Sequence, residues 1–399
     1  MPTRFPLIFV TLTMMLDAMG IGLILPVMPE LLRQLEGGTI SQAAVWGGAL
    51  AMAYAAMQFL FSPLVGNLSD RFGRRPVLLV SLVAMGLNYL LMALAGSVWW
   101  LFAARIVSGI TGATYATANA VVADITPPER RAANFGLVGA AFGAGFVLGP
   151  AIGGLLGEFG PRAPFFAAAA LALGNAAFGY FAAPETLRPD RRRPLVWAEA
   201  NPVRALMRAR ALPGIADLLT VFLIYLVASN VYPVIWAFFT IEKFGWSEGL
   251  VGLSLSFFGI CMALVQALLI RALMRRFTAP AIATWGFVIN IVVFALLVVV
   301  PDTFWLFVFL PLCALGAIVT PAIQSLLANA TEDDRQGALQ GVIGALQAIS
   351  QIITPIVMPL LFRAFTAEDA PVYLPSAPFV AAGLLTAIAL ILFLRRRLA

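Results

Sequence analysis

Gly66-Asn67-Leu68-Ser69-Asp70-Arg71-Phe72-Gly73-Arg74-Arg75-Pro76 is a hydrophilic island in an apolar chain. Residues 43–64 before it and 76–95 after it each approach the roughly 20 mostly apolar residues that carry a helix across a bilayer. The island's glycines permit a tight turn between two such helices. Asp70 can form charge-assisted bonds with Arg71, Arg74 and Arg75 at the rim, where a gate would close. A positively charged loop needs only the arginines. The spacing G-x-x-x-D-R-x-G-R-R also fixes an acid and two glycines, so it is more specific than a loop alone.

Working outward, the same criterion yields twelve spans, near residues 6–27, 43–64, 76–95, 98–121, 134–157, 164–182, 213–238, 249–270, 280–300, 303–328, 336–362 and 376–394. Composition agrees. The 399 residues are 61% hydrophobic and 11% charged, with mean hydropathy +0.95. Soluble domains carry about 25% charged residues, so lipid must cover what one core cannot. The fold expected is an all-α membrane protein. Residues 1–27 contain Asp17 and no small-residue cleavage site, which predicts a first transmembrane helix and not a removed leader. The chain has no histidine, the commonest metal ligand and neutral-pH proton carrier. Cys261 and Cys313 lie in apolar runs without metal-site spacing, and a disulfide framework is not expected. With no nucleophile beside a base, an enzyme is the least expected class, and no cofactor is expected.

The net charge of +6 could suggest nucleic acid, but the basic residues fall in alternate loops, as membrane orientation requires. With a cytoplasmic N-terminus, 20 of the 25 basic residues face the cytoplasm. Arg33, Arg162, Lys243 and Arg363 face outward, and Arg105 lies inside a span. Both termini are therefore expected in the cytoplasm. Residues 184–212, rich in Pro and Arg, read as a cytoplasmic linker between six-helix halves at 1–183 and 213–399. The halves repeat weakly at an offset of 205. Trp100-Leu101-Phe102 matches Trp305-Leu306-Phe307, Glu129-Arg130 matches Asp334-Arg335, and Gly136, Gly139, Ala140 and Pro150 match Gly341, Gly344, Ala345 and Pro355. Two pseudo-symmetric six-helix bundles with a substrate site at the midplane are the architecture this predicts.

On these residues the chain resembles the major facilitator superfamily, whose signature loop the 66–76 island matches. Arg105-Ile106-Val107-Ser108-Gly109-Ile110-Thr111-Gly112-Ala113 is similar to the family's fourth-helix motif. Gly145, Gly149-Pro150 and Gly153-Gly154 resemble its antiporter motif; small residues so spaced also let helix backbones approach closely. Leu16-Asp17-Ala18-Met19-Gly20-Ile21-Gly22 looks like the first helix of bacterial tetracycline efflux proteins, as do Pro321-Ala322-Ile323-Gln324 and Gln336-Gly337-Ala338-Leu339-Gln340-Gly341. The resemblance implies a bacterial inner-membrane carrier that exchanges a drug, often entering as a metal chelate, for a proton. A monomer is expected, its partners being the small-molecule substrate and the bilayer.

Proton coupling needs an intramembrane group that gains and loses a proton, and Asp17 is the candidate; the bland alternative is a structural acid. Arg105, which cannot readily discharge, needs a partner or an anionic ligand, or else snorkels to an interface. Asp17 is its expected partner, and the two are the expected proton-coupling residues. The expected cytoplasmic gate comprises Gly66, Asp70, Arg71, Gly73, Arg74, Arg75 and Asp124. Segment matching to the tetracycline exporters puts Asn88, Met262 and Asn290 where that family has ionisable groups. These neutral residues imply a more apolar or differently charged substrate than tetracycline. Gln58, Asn88, Asn119, Asn230, Met262, Asn290 and Gln324 are candidate substrate-binding residues; any one polar side chain taken singly is better explained by an interhelical hydrogen bond, and only as a set do they supply the placed polar groups a substrate site needs. An importer or facilitator of a metabolite or lipid-like solute is the rival transport reading, and a non-transporting receptor on the same fold is the rival outside transport. An intact rim loop speaks against the receptor.

Overall fold

The computed structural model describes residues 4–112, 114–192 and 214–398. Residues 193–212 of the expected linker, and Ala113 of the fourth-helix motif, lie outside the described residues. Among the described residues twelve helices are long and apolar enough to cross a membrane, one for each expected span. Helices suit that solvent because each satisfies its own backbone groups where lipid offers no hydrogen bonds.

The first half runs α1 (Arg4–Ile24), α2 (Met28–Glu36), α3 (Ile40–Phe72), α4 (Arg74–Ala93), α5 (Val98–Thr111), α6 (Thr114–Ile125), α7 (Arg131–Gly157) and α8 (Ala163–Ala182). Helix α1 stops two residues before Pro26, whose ring disfavours helix in the residue preceding it. Short α2 was not among the expected elements, being too brief for a spanning window. It buries Met28, Leu31 and Leu32 and ends on Gly37, which takes a left-handed φ of 66°. The second half runs α9 (Ala216–Ser229), α10 (Val231–Phe244), α11 (Glu248–Leu264), a π-helical turn at Val265–Leu269, α12 (Ile270–Arg276), α13 (Ala279–Val299), α14 (Thr303–Leu315), a 3₁₀ turn at Gly316–Ile318, α15 (Val319–Asn329), α16 (Gln336–Ala364) and α17 (Ala377–Leu398).

The chain clusters into two compact units whose boundaries differ from a simple cut at the linker. The first takes in Ser247–Ser256 of the second half, and the second takes in Gly38–Met52 of the first. Close backbone packing accounts for both exchanges. In the first unit Gly252 of α11 lies on the Pro150 carbonyl of α7, and a Cβ there would stand 3.0 Å from the Gly154 Cα. Ser256 donates to the Val147 carbonyl at 2.6 Å. In the second unit Gly48 of α3 lies on the Pro355 carbonyl of α16, with 2.7 Å left to Pro359 Cγ. Pro150 and Pro355 are a matched pair of the 205-residue repeat, so both exchanges use the same contact.

The repeat also recurs in interruptions. The fourth span breaks at Gly112, and the tenth breaks at Gly316–Ile318, which contains the position 205 residues later. Helix α1 ends at Ile24, and the seventh span breaks at Asn230, next to its repeat position. Interrupted helices free backbone groups that lipid cannot satisfy, and in transporters such breaks border binding sites. Each unit has its own core: Phe9, Met14, Leu78, Leu82 and Val122 in the first, and Phe222, Phe287, Ile318, Ile343 and Phe393 in the second. Aromatic residues at the starts of α5 and α14 face outward, including the matched Trp100 and Trp305, as an interfacial belt requires.

Candidate functional site

The rim comes first. Most of the 66–76 island is helix, a correction to the loop expected there. Helix α3 continues through Phe72, and Gly66 sits within it beside open space, with no turn to make. Gly73 alone turns the chain, at φ 107° and ψ 158°, a conformation open almost only to glycine. This places Arg74 at the start of α4, facing back on α3. Its Nη1 lies 2.5 Å from Asp70 Oδ1 and donates to Ser69 Oγ at 2.7 Å, while its Nε donates to Asp124 Oδ2 on α6 at 3.1 Å. One guanidinium thus ties three helices. Arg75 donates to the Tyr180 carbonyl of α8 at 2.6 Å and stacks over the Tyr180 ring. Arg71 lies over the Phe72 ring, 5.1 Å from its centroid.

A further rim residue escaped the sequence reading. Glu185, just past α8, accepts from the backbone N–H of Arg74 at 2.9 Å and of Arg75 at 3.2 Å. It also accepts from Thr186 and Leu187 N–H, both at 2.9 Å. Helix α4 has no capping side chain at Gly73, so its first donors take a carboxylate from 111 residues away. The one sequence signal was the missing cap, which does not say where the acid comes from.

The glycines of α7 divide by face. Gly145, Gly149 and Gly153, spaced one turn apart, meet the backbone of Met15, Met19 and Leu23 on α1, and Pro150 Cδ occupies the space where a Cβ on Gly22 would project. At Gly149 a Cβ would stand 2.6 Å from the Met19 carbonyl oxygen. This backbone-on-backbone seam holds the helix that carries Asp17. Gly139 and Gly143 face open space.

Asp17 and Arg105 are both partly buried within spans, in the same unit. They do not pair. Among the described residues no ion pair joins them, and Arg105 Nε is buried without a hydrogen-bond partner. The expected Asp17–Arg105 pair is therefore corrected: the guanidinium of Arg105 packs against a tyrosine ring instead. Its Cζ lies 6.0 Å from the Tyr54 ring centroid, and Tyr54 and Tyr89 are each within electrostatic reach of both Asp17 and Arg105. The Tyr89 hydroxyl fills the space beside Gly20, 2.7 Å from where a Cβ would stand, one turn along α1 from Asp17. Gln58 Nε2 donates to Tyr54 Oη at 3.1 Å and to the Gly112 carbonyl at 3.2 Å, which fixes the Tyr54 ring at the helix break. Gly109 lets α5 approach this part of α3, since a Cβ there would stand 2.6 Å from Met57 Cβ.

The remaining candidates divide. Asn88 is 4% exposed and hydrogen-bonded to Ser108 of α5. Asn290 is 3% exposed and donates to the Gly286 and Gly316 carbonyls at 2.9 and 3.0 Å. Both amides make hydrogen bonds between helices, the alternative that the sequence left open for each of them. Asn230, at the break between α9 and α10, donates to Ser350 Oγ at 2.9 Å. Met262 packs against the second core, and Asn119 and Gln324 are half-buried on α6 and α15. Among the described residues no group of three or more His, Cys, Asp or Glu is placed to hold a metal ion.

Comparison with known proteins extends this picture over the whole chain. The chain is 42% identical over 364 residues to the class C tetracycline resistance protein of Escherichia coli, covering 91% of each. It is 37% identical over 396 residues to the class D tetracycline resistance protein of Salmonella ordonez, covering 97% of each. Its fold is similar to the crystal structure of a bacterial homologue of the human lysosomal transporter Spinster, with a TM-score of 0.80 at 18% identity, covering 99% of this chain and 97% of that one. The Major Facilitator Superfamily model matches residues 10–216 and 218–399, and with an interrupted, internally repeated twelve-span fold and the Asp70–Arg74 rim already in place, the chain belongs to that superfamily.

Proposed function

We propose that this chain is a secondary active exporter of drug-like small molecules in a bacterial inner membrane, driven by proton exchange. The observation that carries the proposal is the similarity to tetracycline resistance proteins along nine-tenths or more of the chain. The arginine-rich rim faces the cytoplasm in this reading, as do both termini. Asp17 is the proton carrier. It is an acid inside a span with no cation paired to it, on a helix seated backbone-to-backbone against α7. It takes a proton from outside and releases it inside. Arg74, tied to Asp70 and Asp124, latches the rim in one state of the cycle. The amides at positions 88 and 290 remove charge that would favour a cationic metal chelate. With Met262 also neutral, the resemblance points to a more apolar or differently charged substrate than tetracycline.

The test uses inverted vesicles holding the overexpressed protein, an imposed proton gradient and a pH-sensitive dye. Tetracycline with magnesium is added first, then a panel of metal-free aromatic drugs. The expected result is proton release on addition of panel drugs, absent in Asp17→Asn. Drug accumulation that leaves the gradient untouched would remove the proton role of Asp17. No drug movement across the panel would favour the metabolite facilitator instead.

A further inference from the structure

The rim of the second unit is built from matched sequence with the opposite use of charge. Carried 205 residues along the repeat, Arg71 and Phe72 become Arg276 and Phe277, but Asp70 becomes Arg275, Arg74 becomes Ala279 and Asp124 becomes Asn329. The register holds in the structure: α15 starts at Val319, the repeat position of Thr114, where α6 starts. Each member of the Asp70–Arg74–Asp124 triad is thus replaced, and one acid is replaced by a base. Arg271, Arg275 and Arg276 are exposed on α12, which buries none of its seven residues. Leu273 and Met274 pack against the second core, so the arginines share the free face. Among the described residues none of the three makes a hydrogen bond or an ion pair. Arg271 and Arg275, one turn apart, repel each other with nothing to offset it.

Membrane orientation asks for basic residues on one side, but not for their grouping on one free face or for the loss of the matched acids. Arg74 of the first rim is spent on Asp70 and Asp124. At α12 two exposed aromatic rings stand where Arg276 ends the helix: Phe277 follows it and meets Trp285 of α13 edge to face, with centroids 4.7 Å apart. Such rings sit at headgroup depth, which sets the arginines at the level of lipid phosphate. A guanidinium fork bonds phosphate through two N–H groups, and basic residues clustered at a span end draw anionic headgroups.

We propose that Arg271, Arg275 and Arg276, with Phe277 and Trp285, form a surface that holds an anionic phospholipid, its phosphate on the arginines and its glycerol and upper chains against the rings. The lipid brings to this rim the negative charge that Asp70 and Asp124 bring to the other. The surface lies within the second unit and does not depend on what the carrier exports.

The full chain is reconstituted in phosphatidylcholine bilayers in which a minor fraction of the lipid carries brominated chains, on either phosphatidylglycerol or phosphatidylcholine. Bromine quenches tryptophan at short range, and the difference between wild type and Trp285→Phe isolates the quenching at Trp285. Brominated phosphatidylglycerol is expected to quench this component as if enriched about tenfold or more over its bulk fraction, and brominated phosphatidylcholine as its bulk fraction alone. Arg271→Gln and Arg275→Gln should each weaken the preference about fivefold. Removing two exposed charges elsewhere, by Arg130→Gln with Arg188→Gln, should leave it unchanged. Salt at about 1 M, with a screening length of about 3 Å, should lower the wild-type preference severalfold, and this arm serves if an arginine variant does not fold. Equal quenching by the two headgroups overturns the proposal, as does a preference insensitive to salt. An equal loss in the Arg130 and Arg188 double variant overturns it too, since net charge would then be the cause. Displacement of the lipid by free glycerol 3-phosphate would make the occupant a soluble phosphate ester and would also refute it.

Discussion

The Gly73–Glu185 contact makes a quantitative prediction. Gly73 holds φ 107° and ψ 158°, a region that costs a side-chain-bearing residue about 1–3 kcal/mol. A methyl group there would also stand 2.8 Å from Glu185 Cδ and against its Oε2, so the carboxylate must leave. Glu185 then loses its bonds to Arg74 and Arg75 N–H. Each such bond at an exposed rim is worth about 0.5–1.5 kcal/mol net, and the helix dipole adds about 0.3–1 kcal/mol. The cap is therefore worth about 2 kcal/mol. Gly73→Ala in wild type loses strain and cap together, about 4 kcal/mol. In a Glu185→Ala background the cap is already gone, and the same change costs about 2 kcal/mol. The double variant should fall short of the sum of the singles by about 2 kcal/mol, well outside the ~0.5 kcal/mol scatter of independent sites. Reversible unfolding of the purified protein in mixed micelles, with dodecyl sulfate as denaturant, measures all three variants. Additive effects would mean that Glu185 does not occupy the space over Gly73, and the account of this rim would be wrong.

Other variants test other parts of the structure. Gly143→Ala, facing open space, should be neutral or gain about 0.5–1 kcal/mol of helix stability, whereas Gly149→Ala must push α1 off α7 and should lose about 1–3 kcal/mol, both read in the same unfolding assay. Asn290→Asp replaces a donor with an acceptor facing two carbonyls and should lower the thermal midpoint unless the acid is protonated, so its midpoint should fall as pH rises. Asn88→Asp meets a serine hydroxyl that can turn and donate to one oxygen, but the other stays buried without a donor, so its midpoint should also fall as pH rises, by less than that of Asn290→Asp.

Spans were legible because a run of about 20 apolar residues has one physical use. Interruptions were not, since Gly112, Asn230 and Gly316 lie inside unbroken apolar runs and differ from ordinary helix residues only in what their neighbours do. The rim residues could be named from spacing, because Asp70 and Arg74 are one turn apart on a continuous strip of chain. Glu185 could not, because its contact spans 111 residues and depends on where α8 ends. The amides show a second limit. Asn88 and Asn290 advertise hydrogen bonding, but composition does not say with what. The amide nitrogens of both bond across helix seams, while Asn88 Oδ1 is buried without a partner. The expected Asp17–Arg105 pair failed for a related reason: charge sign predicts attraction, while the tyrosine against which the arginine packs carries no charge pattern to read.

On the exporter reading proposed above, that separation bears on why transport would be exchange. Away from the span ends, Asp17 and Arg105 are the charged residues within the twelve spans. A closed ion pair would satisfy both in every state of the carrier and leave nothing for a proton or a substrate to compete over. Kept apart, the two charges make the empty, deprotonated carrier the least comfortable state of the site. On that reading a proton relieves it by removing the charge of Asp17, and a substrate cation would relieve it by pairing with that charge, but the two could not do so together. Mutual exclusion at one carboxylate is the condition for antiport, and on that reading an Asp17 without a paired cation, beside an Arg105 packed on Tyr54, meets it.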